Sequence, residues 1–269
     1  MSTNVLAIEG NMRRFVEFIN ERELVRAKKE AGLDKPWTRD PMLLNYRFCN
    51  VRREDDKVTR WIKKNWRDPY DGNPNMNRAM LLARMVNWPD TLEEIGFPEE
   101  WHARTYMDKI AERMQRGEKT WTGAYMITAE HDGTPKHVSV CKTVDALHYD
   151  LGHTCLSAWA QLQLLPRIGS FMAAQVVADL KHTHVLRFAS DVLTFCAPGP
   201  GSQRGLAILL GVKEQDWPQP QFQALVSTLA DPITHGTGLV LDNQDIQNCL
   251  CEFSKYVRGS SRSRYNGYA

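Results

Sequence analysis

Apolar residues recur at three- and four-residue intervals through most of this chain, and that spacing confines it to a fold of packed helices. Residues 11–31, 54–66, 76–87, 101–116, 154–164, 170–181, 219–230 and 243–257 each carry such a stripe. Strand-like alternation is confined to WTGAYMIT (121–128) and HVSVCKTV (137–144), with His131-Asp132-Gly133 between them, which predicts one small β-hairpin. With 269 residues, 42% of them hydrophobic, there is ample apolar mass for a core. The expected class is mostly α, a single helical domain over residues 1–269.

Several function classes drop out early. No apolar run approaches the roughly 18 residues that cross a bilayer, so no membrane partner is expected. The start, MSTNVLAIEGN, has no basic region followed by an apolar stretch, which predicts no secretory signal and an intracellular protein. The six cysteines form no CxxC pair and the eight histidines no HExxH motif, so no metal site is predicted.

The net charge of +2 conceals an asymmetry: residues 11–67 hold sixteen Lys/Arg against nine Asp/Glu, and the end of the chain turns basic again after Glu252. A phosphate-rich partner feels charge within about 8–10 Å, so local clusters matter more than the sum. On 54–66, Val58, Trp61, Ile62 and Asn65 share one predicted face, and Arg53, Asp56, Lys57 and Arg60 the opposite, mostly cationic one. On 11–31, the stripe Phe15, Phe18, Ile19 continues as Arg22, Arg26 and Lys29. These cations point where core side chains point. A buried guanidinium needs a partner. Either carboxylates such as Glu23 or Glu54 supply it, or an anionic ligand enters a cleft, where the planar arginine fork suits phosphate.

Residues 154–181 (TCLSAWAQLQLLPRIGSFMAAQVVADLK) read as two helices around Leu165-Pro166-Arg167-Ile168-Gly169, a helix-hairpin-helix pattern. Its second helix would offer free N–H groups to DNA phosphates, with Arg167, Ile168, Gly169 and Ser170 as contacts. Helix-hairpin-helix DNA glycosylases carry a catalytic Asp some way after the hairpin; here Asp191 stands 22 residues after Gly169. Pro198-Gly-Pro-Gly-Ser-Gln-Arg204-Gly205 reads as a phosphate-suited loop with exposed N–H groups, though without the Gly-Lys-Ser/Thr end of a nucleotide-binding P-loop.

ERELVRAKKEAG (21–32), PWTRDPMLLNYRFCNVRREDDKVTRWI (36–62), LPRIGSFMAAQVVADL (165–180), APGPGSQRGL (197–206) and DIQNCLCEFSKY (245–256) resemble the α-glutamyl/putrescinyl thymine pyrophosphorylase family of phages. That family is related to the helical domain joined to 5-hydroxymethyluracil DNA kinases and is similar in architecture to DNA glycosylases. The resemblance implies thymidine hypermodification of phage DNA in the cytoplasm of the infected bacterial host. The kinase of that pathway makes 5-pyrophosphoryloxymethyluracil; this chain would replace the pyrophosphate with the amine of an amino acid or polyamine.

That chemistry needs fixed cations for the departing pyrophosphate, with Arg22, Arg26, Arg47, Arg52, Arg53, Arg60 and Arg204 as candidates. A divalent metal assisting pyrophosphate release is compatible with it. A carboxylate base for the amine would be Asp191, Asp56 or Glu252, in that order. The target base of the double-stranded DNA must leave the stack, with Trp37, Tyr46 or Trp61 to stack on it, and Cys49 is a candidate to attack its ring. Two other readings compete: a glycosylase-like enzyme on modified thymine, and a non-catalytic DNA-binding partner of a 5-hydroxymethyluracil DNA kinase.

Overall fold

In the computed structural model of the protein, which describes residues 3–123, 133–147 and 150–259, every regular element is helical. Two compact units result: Met1–Asp56 with Leu193–Ala269, and Lys57–Val192 between them in sequence. Unit 1 begins with α1 (Thr3–Glu30) and α2 (Pro41–Asn45). Unit 2 holds α3 (Lys57–Ile62), α4 (Met76–Val86), α5 (Pro89–Ile95), α6 (Ala103–Gln115), α7 (Lys136–Asp145), α8 (Cys155–Leu162) and α9 (Ser170–Leu180). Unit 1 resumes with α10 (Pro200–Leu210), α11 (Gln219–Ser227), α12 (Ala230–Thr237) and α13 (Asn243–Arg258).

The stripe on α1 builds the core of unit 1. Phe15, Phe18 and Ile19 are buried against Leu206 and Leu209 of α10, Phe222 and Val226 of α11, Ile233 of α12, and Ile246, Leu250 and Phe253 of α13. Full burial of each such side chain contributes about 1.5–3 kcal/mol. Phe15 meets the Phe253 ring at 5.0 Å and Phe18 meets that of Tyr256 at 4.6 Å between centroids. Helix α1 ends where expected: Gly32 takes the left-handed conformation (φ +69°), and Leu33 N–H returns to Lys28 O at 3.1 Å. Asp242 caps α13 by accepting the N–H groups of Gln244 and Asp245, both at 3.0 Å.

Unit 2 is organised on α4, which is buried around nearly its whole circumference. Helices α5, α7 and α9 pack against it. Its Arg84 lies in that interior. The guanidinium bonds both oxygens of the buried Asp179 on α9, one of them at 2.7 Å, as well as Thr59 Oγ1 (3.0 Å) and Asn87 Oδ1 (3.2 Å). Arg67 approaches the same carboxylate at 3.7 Å.

Four expectations change. Residues 137–144 belong to helix α7, not a strand. Val140, Cys141 and Val144 fall on one helical face and are buried, so tertiary packing overrides the β preference of the Val and Thr residues. Residues 124–132, the rest of the expected hairpin, lie outside the described residues. The 54–66 helix begins only at Lys57, because Asp56 is extended (ψ 137°) after a 3-10 turn at Arg53–Asp55. A π-helical turn at Lys63–Arg67 then rephases it, burying Trp66 and Arg67 while Asn65 faces solvent. The 219–230 helix divides into α11 and α12.

The fourth change concerns Pro198–Gly205. Most of this segment is the first half of α10, started by Pro200 at its first turn, and not a loop. Its glycines serve helix packing. A Cβ on Gly205 would collide with the carbonyl oxygen of Leu250, and one on Gly201 with Cys251 Sγ. The backbones of α10 and α13 therefore approach closely because these positions carry no side chain.

Candidate anion site

In unit 1 the sequence blocks 21–32, 36–56 and 245–256 converge on Arg22. One turn beyond the Phe18–Ile19 stripe, Arg22 is only 4% exposed. Its Nε donates to Cys49 O at 3.1 Å, its Nη2 to the same oxygen, and its Nη1 to Cys249 Sγ at 3.4 Å. The Phe18 ring covers the guanidinium at 4.9 Å. These acceptors are neutral, and they take three of the five N–H bonds. No carboxylate hydrogen-bonds Arg22 among the described residues. Burial opposes its charge, and the neighbouring sulfurs and Glu252 more than offset that, raising its pKa.

Glu252 is buried beside it on α13. Its Oε2 accepts the Cys49 N–H at 3.3 Å, and its Oε1 accepts from Lys255 Nζ at 2.6 Å. Burial works against the Lys255 charge, but Glu252 raises its pKa overall. The local sum is two cations, Arg22 and Lys255, against one carboxylate. Such an excess favours an anion. The sequence analysis did not connect Lys255 to this cluster; its signal is the Glu-x-x-Lys spacing of 252–255, which puts the two side chains on one face of a helix.

Cys49 reaches solvent over part of its surface. The protein packed around the thiol, with Glu252 next, nevertheless pushes its pKa up to about 12, which argues against a thiolate nucleophile at neutral pH.

The other predicted residues fall as follows. Arg26 is paired with Glu23 (3.0 Å), Glu30 (2.6 Å) and Asp55 (3.4 Å), so the carboxylate alternative holds for it. Lys29 is exposed. Arg53 is half-buried, with its backbone N–H on Asp245 Oδ1 at 2.9 Å. Arg52 is half-buried, and Arg47 and Asp56 are exposed. Arg204 is held by Glu214 at 2.9 Å. Trp37 donates its indole N–H to Leu33 O at 2.7 Å, and Tyr46 packs against the unit 1 core.

Unit 2 carries the remainder. Arg60 is exposed and Trp61 lies 6.3 Å from Trp66. Both oxygens of Asp191 are engaged at the start of α8, accepting the N–H groups of Cys155 (2.7 Å) and Leu156 (2.9 Å). Helices α8 and α9 flank the predicted turn; Ile168 is buried, Gly169 exposed, and Arg167 and Ser170 half-buried. Arg167 sits at φ +68°, a left-handed conformation that costs a side-chain-bearing residue about 1–2 kcal/mol. Leu164, beside this turn, is 78% exposed. Among the described residues, no cluster of His, Cys, Asp and Glu could hold a metal, and no helix is long and apolar enough to cross a membrane.

The fold and this cluster define an all-helical domain with a buried cationic site. The family model described as "5-hmdU DNA kinase, helical domain" matches residues 9–265, and the chain belongs to that family. A 5-hmdU DNA kinase of Bacillus phage SP10 is 26% identical over 191 residues, which cover 62% of this chain. The match spans only 30% of that relative's length. No solved structure matches the chain.

Proposed function

We propose that the protein is a DNA-modifying transferase of phage thymine hypermodification, acting in the cytoplasm of the infected bacterium. The amine nitrogen of an amino acid or polyamine attacks the methylene carbon of 5-pyrophosphoryloxymethyluracil in DNA. The carbon–oxygen bond breaks, pyrophosphate leaves with the electron pair, and a carboxylate takes the proton from nitrogen. The observation that carries this reading is Arg22, a nearly buried guanidinium on neutral acceptors at the meeting point of the three sequence blocks. Preorganised cations of this kind stabilise charge that develops on a leaving group. Glu252, beside Arg22, is preferred as the base over Asp56 and over Asp191, whose oxygens hold the start of α8. Release of pyrophosphate assisted by a divalent metal is part of the same proposal.

The family description favours a second reading, a helical partner of a 5-hydroxymethyluracil DNA kinase. One experiment separates them. The protein is mixed with DNA carrying 5-pyrophosphoryloxymethyluracil and a pool of amino acids and polyamines, and the digested nucleosides are weighed. An amine adduct with released pyrophosphate supports the transferase, and an abasic site a glycosylase. Unchanged DNA, together with stimulation of an added kinase, supports the partner.

A further inference from the structure

Unit 2 contains a cavity of about 250 Å³ between the end of α7 and the turn after α8, lined by Ala146, Leu147, Asp150, Leu151, Gln161, Leu164, Leu165 and Pro166. It is smaller than the roughly 300–1,000 Å³ of drug-sized sites and suits a ligand of few heavy atoms. Six of its eight lining residues are apolar, two are polar, and none is cationic. Asp150 Oδ1 accepts the Gly152 N–H at 2.7 Å, and its second oxygen has no partner among the described residues. The Gln161 carboxamide likewise makes no hydrogen bond among them; only its backbone carbonyl is engaged, by Leu164 N–H at 3.1 Å.

We propose that this cavity binds a short aliphatic ammonium ion, with its methylenes against Leu147, Leu151 and Leu165 and its charged end on Asp150 and Gln161. The chemistry selects that class. A carboxylate or phosphate would meet Asp150 with no cation in the lining to compensate, and burying such a charge unpaired is costly. An alkylammonium group finds a charge-assisted hydrogen bond at one end and apolar surface along its length. A free amino acid is disfavoured for the same reason, because its carboxylate lacks a partner here. The role of this ligand as the amine co-substrate rests on the transferase reading; its binding does not. Leu164 to Pro166, on one wall, belong to the turn expected to meet DNA, which would keep the amine beside the polymer.

The test uses the full chain without DNA, by calorimetry at pH 7 with n-butylamine, 1,4-diaminobutane and butyrate as probes. Both amines should bind and compete with each other, while butyrate should not bind. Asp150→Asn keeps the Gly152 hydrogen bond and removes the charge, and should weaken both amines by about tenfold or more. Gln161→Leu should weaken them less. Butyrate binding as well as butylamine would overturn the proposal, as would unchanged amine affinity in Asp150→Asn. Both positions reach solvent at the helix ends, and unchanged circular dichroism confirms the fold of each variant. Turnover on pyrophosphorylated DNA is read separately. Amine binding without turnover leaves the cavity assignment standing and removes the transferase reading. Turnover with amines that ignore Asp150→Asn does the reverse.

Discussion

Each unit of this protein buries an arginine, and the two are treated differently. Arg84 in unit 2 is closed on all sides: Asp179 takes two of its bonds, and Thr59 and Asn87 take two more. Arg22 in unit 1 has a carbonyl, a sulfur and a ring around it, while the adjacent carboxylate, Glu252, is shared with Lys255. A buried charge neutralised by its own protein serves the fold. One set among neutral acceptors keeps its field for something else, so equal burial in two parts of one chain carries two meanings.

The contrast predicts a large effect at Asp179. Asp179→Asn leaves Arg84 uncompensated in the interior, and urea unfolding should show a loss of about 3–5 kcal/mol. A loss below 1 kcal/mol would mean that Arg84 is no better neutralised than Arg22. Gly205→Ala should come next, at about 1–3 kcal/mol, because α10 must back away from Leu250. It should also weaken pyrophosphate binding, measured by calorimetry, since α13 carries Cys249 and Glu252 toward Arg22. Arg22→Met should cost no more than about 1 kcal/mol, because Glu252 keeps Lys255 and the partly exposed Cys49 can reach water. The same variant should lose pyrophosphate binding altogether; intact binding would return Arg22 to the structural class of Arg84.

The smallest effect concerns the thiols of unit 1. Burial pushes Cys49 to about 12 and Cys249 to about 11, from an ordinary 9.0. The folded state then holds protons that the unfolded state releases, so stability is complete below pH 9 and falls as pH rises toward 11 and 12. Urea midpoints at pH 8 and pH 10 measure it. Cys49 should also resist iodoacetamide at pH 8 despite reaching solvent.

How much of this was legible depended on distance along the chain. The inward course of Arg22 followed from spacing, since it stands three and four residues from Ile19 and Phe18 on a helix. Its partners did not, because Cys49 lies 27 residues away and Cys249 lies 227. Helix α10 was hidden by Pro198-Gly-Pro-Gly, residues that usually mark loops; here the proline starts a helix and the glycines let another backbone come close. The π-helical turn at 63–67 left no local signal, and with it went the phase of α3. Asp191 stood at a suggestive spacing from the hairpin, yet spacing cannot show that both its oxygens are engaged by backbone N–H groups.

Unit 1 is drawn from both ends of the chain, with residues 57–192 intervening. During synthesis, α1 therefore emerges with Phe15, Phe18 and Arg22 and must wait for α13 before any of them is covered. All of unit 2 leaves the ribosome in the meantime and is free to fold first. The cationic site is thus the last part of the protein to mature, and a ribosome stalled short of residue 243 would display a greasy, positively charged helix with nothing to close over it.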